Sequence, residues 1–194
     1  MKSVCVFLGS NPGTSPDYLQ AARAMGAELA RRGITCVYGG SNVGLMGVLA
    51  NATLEAGGKV IGIIPEALQK KEIAHTGLTE LHVVASMHER KALMAKLSDG
   101  FVALPGGMGT LEELCEVLTW AQLGFHKKPC GVLDIGGYYS HLNAFLDHAV
   151  SQGFIMPGHR TMLLSHTTPA GLLDQFETYV APVVSKWIEK PQTL

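Results

Sequence analysis

The run Pro105-Gly106-Gly107-Met108-Gly109-Thr110-Leu111-Glu112-Glu113 places closely spaced glycines, a threonine and two adjacent carboxylates in one short stretch. Glycines at a strand-to-helix turn let backbone N–H groups face a ligand, and the positive end of the following helix dipole favours an anion there. Phosphate is the natural occupant. The carboxylates repel phosphate, so one of them has a separate task, such as binding ribose hydroxyls or assisting a water. Two plainer readings stand beside this one. Thr110-x-x-Glu113 fits a capping box in which Glu113 bonds back to the N-cap amide, and Glu112 fits an acid that complements the helix dipole.

Arg90 is the second residue with chemical content. Ser86-Met87-His88-Glu89 is a capping-box pattern that makes Ser86 the N-cap of a helix over 86–98. Arg90 lies three, four and seven residues before Leu93, Met94 and Leu97, and so on the same core-directed face. A guanidinium withdrawn from water needs a partner, either a carboxylate such as Glu113 or a ligand phosphate. The alternative is an arginine that snorkels to the surface from the first turn. A further glycine-rich junction, Gly39-Gly40-Ser41-Asn42-Val43-Gly44, reads as a second phosphate contact or as tight helix-on-sheet packing.

Familiar nucleotide motifs do not fit. A P-loop needs G-x-x-x-x-G-K-[ST], and that lysine is missing. The dinucleotide fingerprint G-x-G-x-x-G nearly fits from Gly107, but its sixth position is Glu112, where a small residue is needed. Asp134, ending the next apolar run, keeps an NAD reading open. The eight histidines show no H-E-x-x-H or comparable spacing, so neither a metal nor a cofactor is expected.

These residues need elements to position them. Strand signals at 4–8, 34–38, 59–64, 80–85, 101–104, 128–134 and 161–164 alternate with helical patterns at 16–32, 45–56, 86–98, 111–123, 138–152 and 169–186. Ser15, Pro16 and Gly33 cap, open and stop the first helix, and Pro65 breaks the third strand. Residues 66–79 mix a short helix with a loop. This rhythm predicts an α/β fold: a Rossmann-like, doubly wound, mostly parallel sheet of about seven strands with helices on both faces. Residues 1–194 read as one domain. Ligands in such sheets bind beyond strand C-termini near the switch in strand order. The loops Gly9-Ser10-Asn11, 39–44, 86–88 and 105–110 leave strand C-termini, and they converge if the order reverses between the first and fourth strands.

Composition sets the outer limits. The chain is 47% hydrophobic and 16% charged with a net charge of −1, which excludes a disordered chain and gives no footprint for nucleic acid or an anionic membrane. A small molecule is the expected partner. No apolar run is long enough for a transmembrane helix, and the N-terminal run reads as a first core strand, not a leader. The four cysteines (Cys5, Cys36, Cys115, Cys130) sit in apolar patterns without C-x-x-C, as reduced core cysteines of a cytoplasmic protein. The low charge, with apolar Trp120 and Leu123 read as exposed, points to an oligomer.

Taken together, these residues resemble the LOG family, the cytokinin riboside 5′-monophosphate phosphoribohydrolases formerly labelled lysine decarboxylase-like. The family signature P-G-G-x-G-T-x-x-E is matched from Pro105 to Glu113, and Met87-His88-Glu89-Arg90-Lys91 matches a second. Residues 38–47 resemble a third, with Ser41 where a glycine is usual. The resemblance implies a Rossmann-like homodimer that cleaves the N-glycosidic bond of a nucleoside 5′-monophosphate, prenylated AMP or AMP, to free base and ribose 5-phosphate. By position, Arg90 and Glu113 match its essential pair. Glu72, Lys91, Gly107, Met108, Gly109, Thr110, Leu111, Glu112 and Thr119 match nucleotide contacts, and Gly106, Ser10, Gly39 and Gly40 join them from the convergent loops. No site for pyridoxal phosphate is recognisable. A non-catalytic nucleotide or molybdenum-cofactor (pterin) carrier of the same fold is the competing expectation; it calls for a cradle without the Arg90–Glu113 pair.

Overall fold

The computed structural model describes residues 1–69 and 74–183. Strands β1 (Ser3–Phe7), β2 (Thr35–Tyr38), β3 (Val60–Pro65), β4 (Glu80–Val84), β5 (Phe101–Ala103), β6 (Cys130–Leu133) and β7 (Leu163–His166) form one sheet in the order β4-β3-β2-β1-β5-β6-β7. Every pairing is parallel. Side-chain alternation along β1 shows how the sheet is covered on both faces. Val4 and Val6 join a core with Met25 and Leu29 of α1 (Pro16–Arg31), Leu45 and Leu49 of α2 (Gly44–Glu55), and Leu172 and Phe176 of α8 (Pro169–Glu177). Cys5 and Phe7 face the other way, into a core with Met94 of α4 (Met87–Lys96) and Leu114 and Val117 of α5 (Met108–Gln122). Short α3 (Glu66–Gln69), α6 (Ser140–Ser151) and α7 (Pro157–Arg160) complete the helices of the described residues.

Local chemistry explains the boundaries. Ser15 caps α1 through Asp17 N–H with Pro16 at the first helical position, and Gly33 ends it at φ +68°. Helices α1 and α2 approach closely because Gly26 lacks a Cβ, which would lie 2.6 Å from the Leu49 carbonyl oxygen. Arg32 then ties α1 to α8, with its guanidinium 2.6 Å from Glu28, 2.7 Å from Asp174 and 3.0 Å from Glu177. No helix among the described residues is long and apolar enough to cross a membrane.

The differences from expectation have physical reasons. Pro65 does not break β3 but ends it, still in register with Val84, since a proline at a strand end needs no donated bond. The 138–152 helix starts at Ser140, because Gly136 and Gly137 at positive φ form a separate 3-10 turn. The last strand lies at 163–166, displaced by the unforeseen one-turn helix α7 over Pro157–Arg160. Helix α8 stops at Glu177, and the end of the expected 169–186 segment lies outside the described residues. The reversal of strand order falls between β1 and β5, not between the first and fourth strands, and β4 lies at the sheet edge. Three cysteines are buried, but Cys115 is exposed on α5. Leu123 is 43% exposed while Trp120 is half-buried.

Candidate active site

The topological switch between β1 and β5 places the loops after both strands side by side, with the Gly9 N–H donating to the Pro105 carbonyl. Between these loops lies a cavity of about 500 Å³ that also reaches Gly39 after β2 and the first turns of α4 and α5. Helices α1, α4 and α8 each begin with a side-chain cap, from Ser15, Ser86 and Thr168. Helix α5 begins at Gly107 with none. Gly107, Met108 and Gly109 at this start line the cavity, and no side chain among the described residues caps the helix there, as an anion site requires.

The capping-box reading of Thr110 and Glu113 fails on this geometry. The N-cap is Gly107, so Thr110 already lies inside the helix and cannot be capped by a residue one turn further on. Thr110 is buried over Gly106, where an added Cβ would come 2.1 Å from its hydroxyl oxygen. Glu113 lies one turn beneath, over β1. Burial first, then the neighbouring carboxylates Glu112 and Glu116, push its carboxyl up to about 7 against the opposing pull of Arg90 and Lys91. Burial and then the charge of Glu113 hold the Cys5 thiol well above its ordinary value, so that thiol is inert.

Arg90 is 7% exposed, as its place on the core face of α4 requires. One terminal nitrogen donates to the Gly39 carbonyl at 3.3 Å, and the other lies 3.8 Å from the Met87 sulfur. Its Nε is buried without a partner among the described residues. Arg90 does not snorkel, and no ion pair within 4 Å joins it to Glu113 among the described residues, so of the three readings the ligand phosphate stays open. A buried donor without an acceptor marks a place for a ligand oxygen. Gly39 makes this seat possible, because a Cβ there would lie 2.1 Å from the guanidinium.

The second acid has a different neighbourhood. Lys91 Nζ is 2.7 Å from Glu112 and 3.0 Å from Glu116. This pairing offsets part of the carboxylate charge at the cavity rim, and Glu113 is the acid without such a lysine partner among the described residues. Of the sequence-selected residues, Ser10, Gly39, Arg90, Gly106, Gly107, Met108, Gly109, Thr110, Glu112 and Glu113 line the cavity. Four do not. Gly40 turns at φ +76° against Ile63, Lys91 sits behind Glu112, Leu111 packs into the core, and Thr119 is exposed about three turns along α5 with its hydroxyl on the Cys115 carbonyl. Glu72 lies outside the described residues. Asp134 is no ribose acid here, since its carboxylate accepts from the Tyr139 N–H.

Sequence reasoning missed Tyr18, Tyr138 and the apolar wall of Met46, Leu68, Met87 and Met94. Met46 and Met94 also read as core residues, and nothing in their spacing marks them as cavity-facing. Among the described residues no cluster of three or more His, Cys, Asp or Glu is arranged to hold a metal ion.

Comparison with known proteins matches the sequence to a family. The family described as "Possible lysine decarboxylase" matches residues 46–176. The cytokinin riboside 5′-monophosphate phosphoribohydrolase of Rhodococcoides fascians is 54% identical over 164 residues, covering 84% of this chain and 83% of the relative. The Arabidopsis thaliana enzyme of the same name, LOG1, is 50% identical over 179 residues, covering 92% and 84%. Among solved structures, the molybdenum cofactor carrier protein of Chlamydomonas reinhardtii superposes with a TM-score of 0.70 at 21% identity, covering 92% of this chain and 99% of that one. The molybdenum cofactor binding protein of Rippkaea orientalis gives 0.68 at 22%, covering 92% and 97%. At that identity the two structures share the fold alone. Identity near one half across almost the whole length carries more, and the chain belongs to the LOG family of phosphoribohydrolases.

Proposed function

We propose that this chain hydrolyses the N-glycosidic bond of a purine nucleoside 5′-monophosphate, N6-prenyl-AMP or AMP, to the free base and ribose 5-phosphate. The observation that carries the reading is the meeting of an uncapped α5 start, a half-satisfied Arg90 and a half-buried Glu113 with a raised carboxyl in one cavity. The 5′-phosphate sits on the N–H groups of Gly107, Met108 and Gly109 with the Thr110 hydroxyl beside them. Glu113, one helical turn deeper, then faces the ribose. As the bond from C1′ to the base breaks, positive charge grows on the sugar ring, and the ionised carboxylate stabilises it. Water attacks C1′, its proton passes to Glu113, and from there it goes on to the departing base. A carboxyl near pH 7 is suited to both accepting and returning that proton. Arg90 fixes a phosphate or ribose oxygen through Nε and holds Glu113 toward its ionised form.

The printed names of the relatives describe this activity on cytokinin riboside 5′-monophosphate, which supports the substrate class. An apolar N6 substituent suits a wall of Met46, Leu68, Met87 and Met94, whose flexible thioethers adapt to irregular shapes. We place the protein in the cytoplasm as a homodimer. Exposed Leu123 and Phe125 at the end of α5 and Phe145 on α6 support a covered face between copies.

Incubation with AMP and with N6-isopentenyladenosine monophosphate, followed by chromatography of the free base, tests the reading. Release from either supports it. Tight nucleotide binding with no release from either substrate would sink it and favour the carrier alternative.

A further inference from the structure

We infer that Tyr138 is a positioning residue that shapes the phosphate cradle from behind, an inference that rests on the phosphate-binding role assigned above to the α5 start. Chain direction alone would leave the carbonyls of residues 104–106 free to rotate toward the cavity, where their partial negative charge would repel an anion. Each is held instead by a fixed donor. The Tyr139 hydroxyl donates to the Leu104 carbonyl at 2.6 Å, the Gly9 N–H to the Pro105 carbonyl at 3.1 Å and the Tyr138 hydroxyl to the Gly106 carbonyl at 2.5 Å. Tying back the Gly106 carbonyl sets the plane of the Gly106–Gly107 peptide. That plane turns the Gly107 N–H, on the other side of the same peptide, to the cavity side.

The tyrosine pair is itself built into the fold. Gly136 and Gly137, at φ +59° and +75°, turn the chain after β6 so that residues 138 and 139 return over the β5 loop. Asp134 anchors the turn by accepting from the Tyr139 N–H at 2.7 Å. The Tyr138 ring packs edge-on against Tyr18, with centroids 5.7 Å apart, and against Tyr139 at 5.0 Å. Tyr139 is buried and serves the core, whereas Tyr138 lines the cavity and is 41% exposed. Its hydroxyl is therefore the one donor of the three that can be removed without opening the core or the β1 loop.

Tyr138→Phe keeps both ring contacts and removes the donor. The dissociation constants of inorganic phosphate, ribose 5-phosphate and adenine are measured by calorimetry, alongside kcat and KM on the better nucleotide substrate and a thermal melt. Loss of one hydrogen bond predicts phosphate and ribose 5-phosphate weakened on the order of tenfold, with KM raised by the same factor. Adenine affinity, kcat and the melt stay close to wild type, a pattern that a merely structural tyrosine would not give. Phosphate affinity unchanged in Tyr138→Phe, with wild-type binding intact, overturns the role of Tyr138 and leaves the hydrolase reading standing. Equal losses for adenine and phosphate also overturn it, as a general distortion of the cavity. Failure of the wild type to bind phosphate at all overturns both readings.

Discussion

Glu113→Gln separates a site carboxylate from a helix-capping one, because the two roles predict opposite effects on stability. Glu113 is held at about 7 in the folded chain, chiefly by burial, against an ordinary carboxylate value of 4.5. A raised carboxyl means that the folded state binds more protons than the unfolded state between those two values. Stability from this group is therefore undiminished below 4.5 and falls as pH rises toward 7. Working the linkage from pH 5 to pH 8 gives a loss of roughly 2–3 kcal/mol in the wild type that glutamine, which does not titrate, cannot show. Thermal melts of both proteins across that range measure it. The wild type should lose on the order of 5–10 °C relative to Glu113→Gln as pH rises, since about 1 kcal/mol shifts a chain of this size by roughly 2–4 °C. Turnover of the nucleotide should fall on the order of 10²–10⁴-fold in the variant. Parallel melting curves, or a variant destabilised equally at pH 5 and pH 8, would refute the buried, raised carboxyl.

Other substitutions probe the supports of the site. Gly39→Ala places a Cβ 2.1 Å from the Arg90 guanidinium and must displace it. Turnover should fall nearly as far as in Arg90→Ala, and the double variant should be no worse than Arg90→Ala alone, read from kcat/KM in a double-mutant cycle. Gly106→Ala pushes on the Thr110 hydroxyl and on the Gly9 N–H 2.8 Å away, so ribose 5-phosphate binding by calorimetry should weaken more than adenine binding. Away from the site, Arg32→Ala removes the tie between α1 and α8. It should destabilise by about 1 kcal/mol in a urea melt, a modest figure because Asp174 and Glu177 are 66% and 58% exposed. Side-chain hydrogen bonding from Arg31, opposed by burial and joined by Arg32, holds the Glu28 carboxyl down at about 2, so its stabilising contribution is lost as pH falls from 4.5 toward 2. Arg32→Ala should narrow that acid-side loss.

The elements and the cradle were legible because they rest on short-range chemistry. Ser15, Pro16 and Gly33 delimit α1 as read, and Ser86 caps α4, which sets the register that carries Arg90 inward. What was not legible depends on long-range assembly. Tyr18 and Tyr138 are 120 positions apart and meet only because α1 and the β6 turn flank the same cavity. The capping-box pattern at Thr110 misled for a related reason. It is a statement about where a helix begins, and the glycines before it let α5 start at Met108, three residues after Pro105. The position of the switch between β1 and β5 likewise follows from pairings across the sheet that no local pattern encodes.

The site is held in an unfavourable state by the same fold that makes it. Among the described residues Arg90 Nε is buried without an acceptor, Glu113 is half-buried at a raised value, and no side chain caps the first N–H groups of α5. Each of these opposes folding on its own, and under the proposed function each meets a partner in a phosphorylated ribose. The surrounding core must therefore supply the stability that the site withholds, which it does through residues on both faces of β1 that are almost wholly buried. This division explains why the sequence is most regular where the sheet is packed and breaks local rules in the few residues from Gly106 to Glu113. A ligand that satisfies the orphan groups should bind with a gain in stability larger than its contact area suggests. Ribose 5-phosphate should accordingly raise the melting temperature of the wild type more than that of Arg90→Ala or Glu113→Gln at the same ligand concentration. Equal shifts in all three proteins would mean that the unsatisfied groups are not the ones the ligand engages.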